Sequence, residues 1–322
     1  MAVSDMVKKV FLVALGLTLA WAGPASAAGK VRAFVSILPQ KYFVERIGGE
    51  LTDVSVLVQP GANPHMYEPT PRQMAALAKA QVYFAIGINL EDVWLPKLKG
   101  ANRDMLVVRT QEGVDKIPMI EHHHDEAEHH HDEAEHHHDE AEHEGHDHAA
   151  AHSDEHDHGI LDPHIWLDPV RVKTIARNTC DGLVRADPAH KTEYEANLAA
   201  FLNELDKLDA TIAEAMAAIP VGKRAFMVFH PSWGYFAQRY GLTQVAIEAG
   251  GNEPSPRHLA EIIEHGRELG VTVVFVQPQF SKRSAEVIAS ELNARVLPLD
   301  PLAEDWKGNL LHAAEAFGRA LS

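Results

Sequence analysis

One apolar stripe constrains this chain more than any other feature. Tyr194, Leu198, Phe201, Leu205, Leu208, Ile212, Ala215 and Ile219 follow one another at intervals that alternate between four and three residues. That spacing places all eight on one face of an α-helix. Asp187 and Pro188 provide a start signal. A helix over 188–219 would be roughly 48 Å long at about 1.5 Å per residue. A helix of that length can run from one lobe to another, or it can be the core helix of a single domain.

Strand and helix signals alternate on both sides of the stripe. Before it come a strand over 31–38, a helix over 40–47 ended by Gly48 and Gly49, and a strand over 53–58. A helix then starts with Thr70 as N-cap and Pro71 at its first position. It runs to about residue 80 and is followed by strands over 82–87 and 106–108. Residues 169–186 form a further helix. Beyond the stripe the pattern resumes, with strands over 226–229, 244–247, 271–277 and 295–299. Helices over 231–240, from Ser255 to about 270, and over 281–293 and 304–321 separate or follow them. This alternation indicates an α/β fold with parallel-type sheets and crossover helices. The expected organisation is an N-terminal lobe over 28–187, a linking helix over 188–219 and a C-terminal lobe over 220–322. A cleft between two lobes is a natural ligand site.

The charge of the chain is concentrated in one place. Of its 46 acidic residues and 22 histidines, residues 121–158 hold 15 of each and no Lys or Arg. The remaining 31 acids face 29 bases, so the rest is nearly neutral. No basic surplus exists for nucleic acid. With 46% apolar residues, the chain can build a core. The window opens with three copies of HHHDEAE over 122–142. Its composition suits capture of several metal ions and is too polar to order itself by burial. Two roles are open for it: raising the local metal supply, or receiving metal from a periplasmic metallochaperone. The bland alternative is a solvated loop without a role.

Residues 1–27 read as a cleavable export signal. Lys8 and Lys9 precede an apolar run over 10–22, and Ala25-Ser26-Ala27 is a small-residue cleavage signature. The run is short for a membrane span of about 20 residues. The only cysteine, Cys180, lies in a helical pattern, where it reads as a small buried residue. These features together point to a soluble periplasmic protein.

Outside the acidic window seven histidines remain. His65 lies in GANPHMYEP after the second strand, and His164 in DPHIWLDP after the window. His230 follows the strand FMVF, and Asp300 follows a strand in LPLDPL. Ligands of open α/β sheets bind beyond the carboxyl ends of strands. Three imidazoles and a carboxylate suit tetrahedral zinc. Prolines beside His65, His164 and Asp300 stiffen the backbone there. His190, His258, His265 and His312 read as exposed helix residues. Glu248, just past a strand, is a reserve carboxylate. Phe229, Trp233, Tyr235 and Trp166 are candidate cleft walls.

PGANPHMYEP, DPHIWLDP, FHPSWGYF and PLDPL, in this order around the long helix, resemble the metal-binding subunits of bacterial zinc and manganese ABC importers. The likeness runs from about Lys30 to the C-terminus. It implies two (β/α) lobes joined by a rigid helix, with the ion buried between them. It further implies His65, His164 and His230 as ligands and Asp300 as the fourth. Within that family a histidine at the position of His230 goes with zinc, and a glutamate with manganese. Some zinc members carry a disulfide in the second lobe, which a chain with Cys180 alone cannot form. The resemblance implies a monomeric, non-enzymatic carrier that delivers zinc to an inner-membrane permease. Two other readings stay open on the residues: an exported zinc hydrolase, and a zinc buffer or adhesin without a transporter. Against the hydrolase, the sequence contains no HExxH, GxSxG or phosphate-binding glycine loop.

Overall fold

The computed structural model describes residues 29–119, 161–249 and 251–321. The export-signal and histidine-acid segments read from the sequence lie outside the described residues. From Val31 onward the described residues form one compact unit. It contains two four-stranded, all-parallel sheets.

The first sheet has β1 (Val31–Val35), β2 (Thr52–Val56), β3 (Val82–Ala85) and β4 (Leu106–Arg109) in the order β2-β1-β3-β4. Helices α1 (Leu38–Gly48), α2 (Pro71–Leu77) and α3 (Asn89–Ala101) connect its strands. Next come α4 (Pro169–Ala186) and the long α5 (Lys191–Ala217). The second sheet has β5 (Ala225–Val228), β6 (Thr243–Ala246), β7 (Val273–Val276) and β8 (Arg295–Pro298) in the order β6-β5-β7-β8. Its helices are α6 (Gly234–Tyr240), α7 (Pro256–Glu268), α8 (Arg283–Leu292) and α9 (Trp306–Leu321). The two strand orders repeat one topology. Each sheet reverses direction of winding beside its first strand, where a crevice opens.

Local chemistry explains where the helices begin and end. The Thr70 hydroxyl accepts from Gln73 N, and Ser255 and Asp168 cap α7 and α4 in the same manner. Asn293 and Gly241 end α8 and α6 in the left-handed conformation. The sequence reading places no helix between β3 and β4. The structure nevertheless forms α3 through Pro96 and buries Leu90, Glu91 and Leu98. The long helix is shorter than its stripe suggests: Pro188–His190 forms a 3-10 turn before α5. The helix expected from residue 231 starts at Gly234.

The stripe on α5 packs against α1, α4 and α9. Tyr194, Phe201, Leu205, Leu208 and Ile212 are buried along it. They belong to one continuous core that also holds Phe34 and Phe84 of the first sheet and Phe226 and Phe275 of the second. The period of two in β5 and β7 divides the second sheet between two cores. Phe226, Val228, Val273 and Phe275 join the shared core. Met227, Val274 and Val276 face the core beneath α7 and α8. Hydrogen bonds add to this packing: Trp306 Nε1 donates to Trp166 O at 2.7 Å, and Trp166 Nε1 donates to Pro301 O at 2.8 Å. Glu204 on α5 pairs with Arg46 on α1 and with Lys307 on α9. Cys180 is buried, as its small apolar character suggests. Among the described residues, no helix is long and apolar enough to cross a membrane.

Candidate metal centre

Three loops bring imidazoles to one point. His65 sits on a 3-10 turn, Pro64–Met66, after β2, and its backbone N–H donates to Asn63 Oδ1 at 2.9 Å. His164 leads into the 3-10 turn Ile165–Leu167, shortly after an antiparallel bridge between Pro118 and Leu161. His230 lies just past β5, at the crevice of the second sheet. The side chain of Gln277 clamps its backbone, accepting from His230 N at 3.1 Å and donating to His230 O at 2.5 Å. The ring of His230 stacks on Phe280, with centroids 5.2 Å apart.

The Nε2 atom of His230 lies 3.3 Å from Nε2 of His65 and 3.2 Å from Nε2 of His164. All three ligand atoms fall within 4.8 Å of one another, and they form the one such group among the described residues. Nitrogens bound to zinc at about 2.0–2.1 Å and tetrahedral angles sit about 3.3–3.4 Å apart. The two contacts of His230 therefore already have the spacing that a small tetrahedral cation imposes.

Electrostatics keep two of these rings, His65 and His164, ready to bind. Burial, and then the neighbouring His230 and His164, push the pKa of His65 down to about 4. Burial also lowers that of His164, against the raising influence of Asp162. Rings that stay neutral keep a nitrogen lone pair available to a cation.

The carboxylates occupy different places. Asp162 Oδ1 accepts from His164 Nδ1 at 2.7 Å, and Glu248 Oε1 accepts from His230 Nδ1 at 2.8 Å. Glu248 thus meets its ring on the side away from the cluster. Asp300 follows β8 and lies outside the converging group. Its Oδ1 accepts from Gln279 Nε2 at 2.8 Å and from Leu302 N at 2.9 Å. Asp162 was missed as a functional residue, although it stands in the DPHIWLDP motif two places before His164. His258 corrects the sequence reading: α7 turns it inward and it is buried.

His65, His164 and His230 line a cavity of about 30 Å³ with Trp166, Gln279 and Phe280. Trp166 is a wall, as expected, whereas Trp233 and Tyr235 are buried elsewhere. Phe280 takes the wall position that the sequence reading gave to Phe229. The space suits an ion with a water, whereas organic ligands occupy roughly 300–1,000 Å³. A larger groove of about 760 Å³ lies along β4, α3 and α4 and holds none of the three histidines.

The family model for ZnuA, described as "Zinc-uptake complex component A periplasmic", matches residues 34–319. The chain belongs to this ZnuA family. A crystal structure of ZnuA superposes with a TM-score of 0.77 at 40% identity, covering 91% of this chain and all of the other. The high-affinity zinc uptake system protein ZnuA of Bacillus subtilis is 30% identical over 288 residues, 87% of this chain and 81% of the relative. The zinc-binding protein AdcA of Streptococcus pyogenes serotype M3 is 28% identical over 309 residues. That match takes in 92% of this chain but 56% of AdcA, so the chain spans little more than half the length of that relative.

Proposed function

We propose that this ZnuA-family chain is the solute-binding component of an ABC-type zinc importer. It captures Zn²⁺ as cargo between its two lobes and delivers it to an inner-membrane permease. The observation that supports this reading most is the convergence of three imidazoles within 4.8 Å of one another, with Nε2 of His230 3.2–3.3 Å from the other two. His65, His164 and His230 are the proposed ligands. Asp300 is proposed as the fourth, swinging from Gln279 to the ion; its neighbours Pro301 and Leu302 already line the cavity. Four protein ligands close the tetrahedron and leave no open position for catalysis. We assign the protein to the periplasm, reached through a cleavable signal, and read it as a monomer with lobes divided near residues 187 and 220. The histidine-acid segment is proposed to hold further ions more weakly.

Competition against a zinc chelator tests the site. The intact chain is expected to show one tight zinc above any weaker ions. A variant carrying His65→Ala, His164→Ala and His230→Ala should lose that tight class and keep the weak one. Retention of the tight class by the triple variant would sink the assignment. Zinc uptake by cells lacking their own copy, restored by the wild type but not by the triple variant, tests the transport role.

A further inference from the structure

We propose that Asp162 and Glu248 are positioning residues that orient two of the imidazoles and supply negative charge that imidazole ligands lack. This inference rests on the zinc reading above. Each carboxylate is at least nine-tenths buried, and each takes the Nδ1 of one histidine at 2.7–2.8 Å. An ionised carboxylate only accepts hydrogen bonds, so the proton must sit on Nδ1. In a neutral ring that leaves a bare lone pair on Nε2. The two bare atoms then face each other at 3.2 Å with no proton between them. Such an arrangement is favourable when a cation lies between the rings.

Charge points the same way. Among the described residues neither carboxylate pairs with Lys or Arg; the one ionic partner of each is its histidine. Burying two carboxylates without a balancing cation is costly. A divalent ion at the Nε2 side would offset both, transmitted through the two rings. Oxygen Oε2 of Glu248 is buried with no hydrogen-bond partner among the described residues, so its carboxylate is met only through Oε1, by His230. The surroundings hold Asp162 just as firmly. Its Oδ1 also accepts from His164 N at 2.8 Å, its N–H donates to Ile117 O at 2.9 Å, and the Tyr235 hydroxyl donates to its carbonyl at 2.7 Å. Among the described residues, by contrast, no carboxylate pairs with the ring of His65, whose Nε2 meets His230.

Long-range ¹H–¹⁵N spectra of the histidine rings in the intact, metal-free chain give a direct readout of the proton position. His164 and His230 should appear as Nδ1–H tautomers. Glu248→Leu should move His230 to the ordinary tautomer mixture and weaken the tight zinc by about 10–100-fold. Glu248→Gln keeps an acceptor without the charge, so it should keep the tautomer and still weaken zinc by about tenfold. Asp162→Ala removes the acceptor at His164, provides the same tautomer test there and serves if Glu248→Leu does not fold. Unchanged tautomers and affinities within twofold of wild type across these variants would overturn the proposal. Because the tautomers are read without metal, the outcome is separable from the zinc assignment. Failure of zinc to bind a wild type with the stated tautomers overturns the assignment and the charge role with it, while ring orientation stands. Tight zinc with unresponsive tautomers overturns the positioning role alone.

Discussion

Gly234 and Asp162 stand so close that a Cβ on residue 234 would lie 2.7 Å from Asp162 Oδ2. The glycine at the start of α6 therefore makes room for the carboxylate behind His164. Gly234→Ala is expected to displace Asp162 and weaken tight zinc binding by about tenfold. Overpacking at that point should also cost about 1–3 kcal/mol of stability. Chelator competition and urea unfolding of the variant measure the two effects. Unchanged zinc affinity would show that the placement of Asp162 is unimportant to the ion.

The pH response of the metal-free protein follows from His65. Its folded pKa of about 4 lies below the ordinary imidazole value. Between those two values the unfolded chain binds a proton that the folded chain refuses, so stability rises with pH there. The contribution is complete above about pH 6.5 and is lost as pH falls towards 4. Thermal unfolding midpoints across this window should flatten in His65→Gln relative to wild type. The same depression moves proton competition for zinc at His65 below the usual histidine range. Protonation of the His65 ring near pH 6.5 in the metal-free protein, read from its ring NMR signals, would contradict it.

Deleting 121–158 should leave the fold and the triad in place. The flanks of the deletion are tied by the Pro118–Leu161 bridge and by Tyr235, whose hydroxyl accepts from Ile117 N at 3.2 Å and donates to Asp162 O. Four residues, 119, 120, 159 and 160, would remain between Pro118 and Leu161. That length falls within the usual range of short hairpin loops. Zinc stoichiometry is expected to drop to one with the tight site unchanged. Unaltered stoichiometry would show that the segment stores no metal.

The three histidines were legible because each follows a strand or a proline-stiffened motif, and loop chemistry at sheet ends is local in sequence. Their carboxylate partners were not. Glu248 follows β6 and reads equally well as a ligand; only the folded sheet shows it behind His230. Asp162 was hidden by its neighbour His164, whose motif drew the functional reading. The helix through Pro96 escaped because tertiary packing of Leu90 and Leu98 outweighs one lost backbone hydrogen bond. The stripe on α5 correctly forecast a long helix, but spacing alone cannot reveal that both sheets share its core.

That shared core makes α5 more than a strut. Leu205 is fully buried within it. Leu205→Ala should cost about 2–5 kcal/mol. Denaturant unfolding followed by tyrosine and tryptophan fluorescence should show a single transition, shifted as a whole. Two separated transitions, only one of them shifted, would show that the lobes have independent cores.

The central claim is that three imidazoles hold the ion. X-ray absorption at the zinc edge, on the 121–158 deletion variant loaded with one equivalent, addresses it most directly. The account predicts three imidazole nitrogens at about 2.0–2.1 Å and one oxygen. A first shell with one imidazole or none would contradict it.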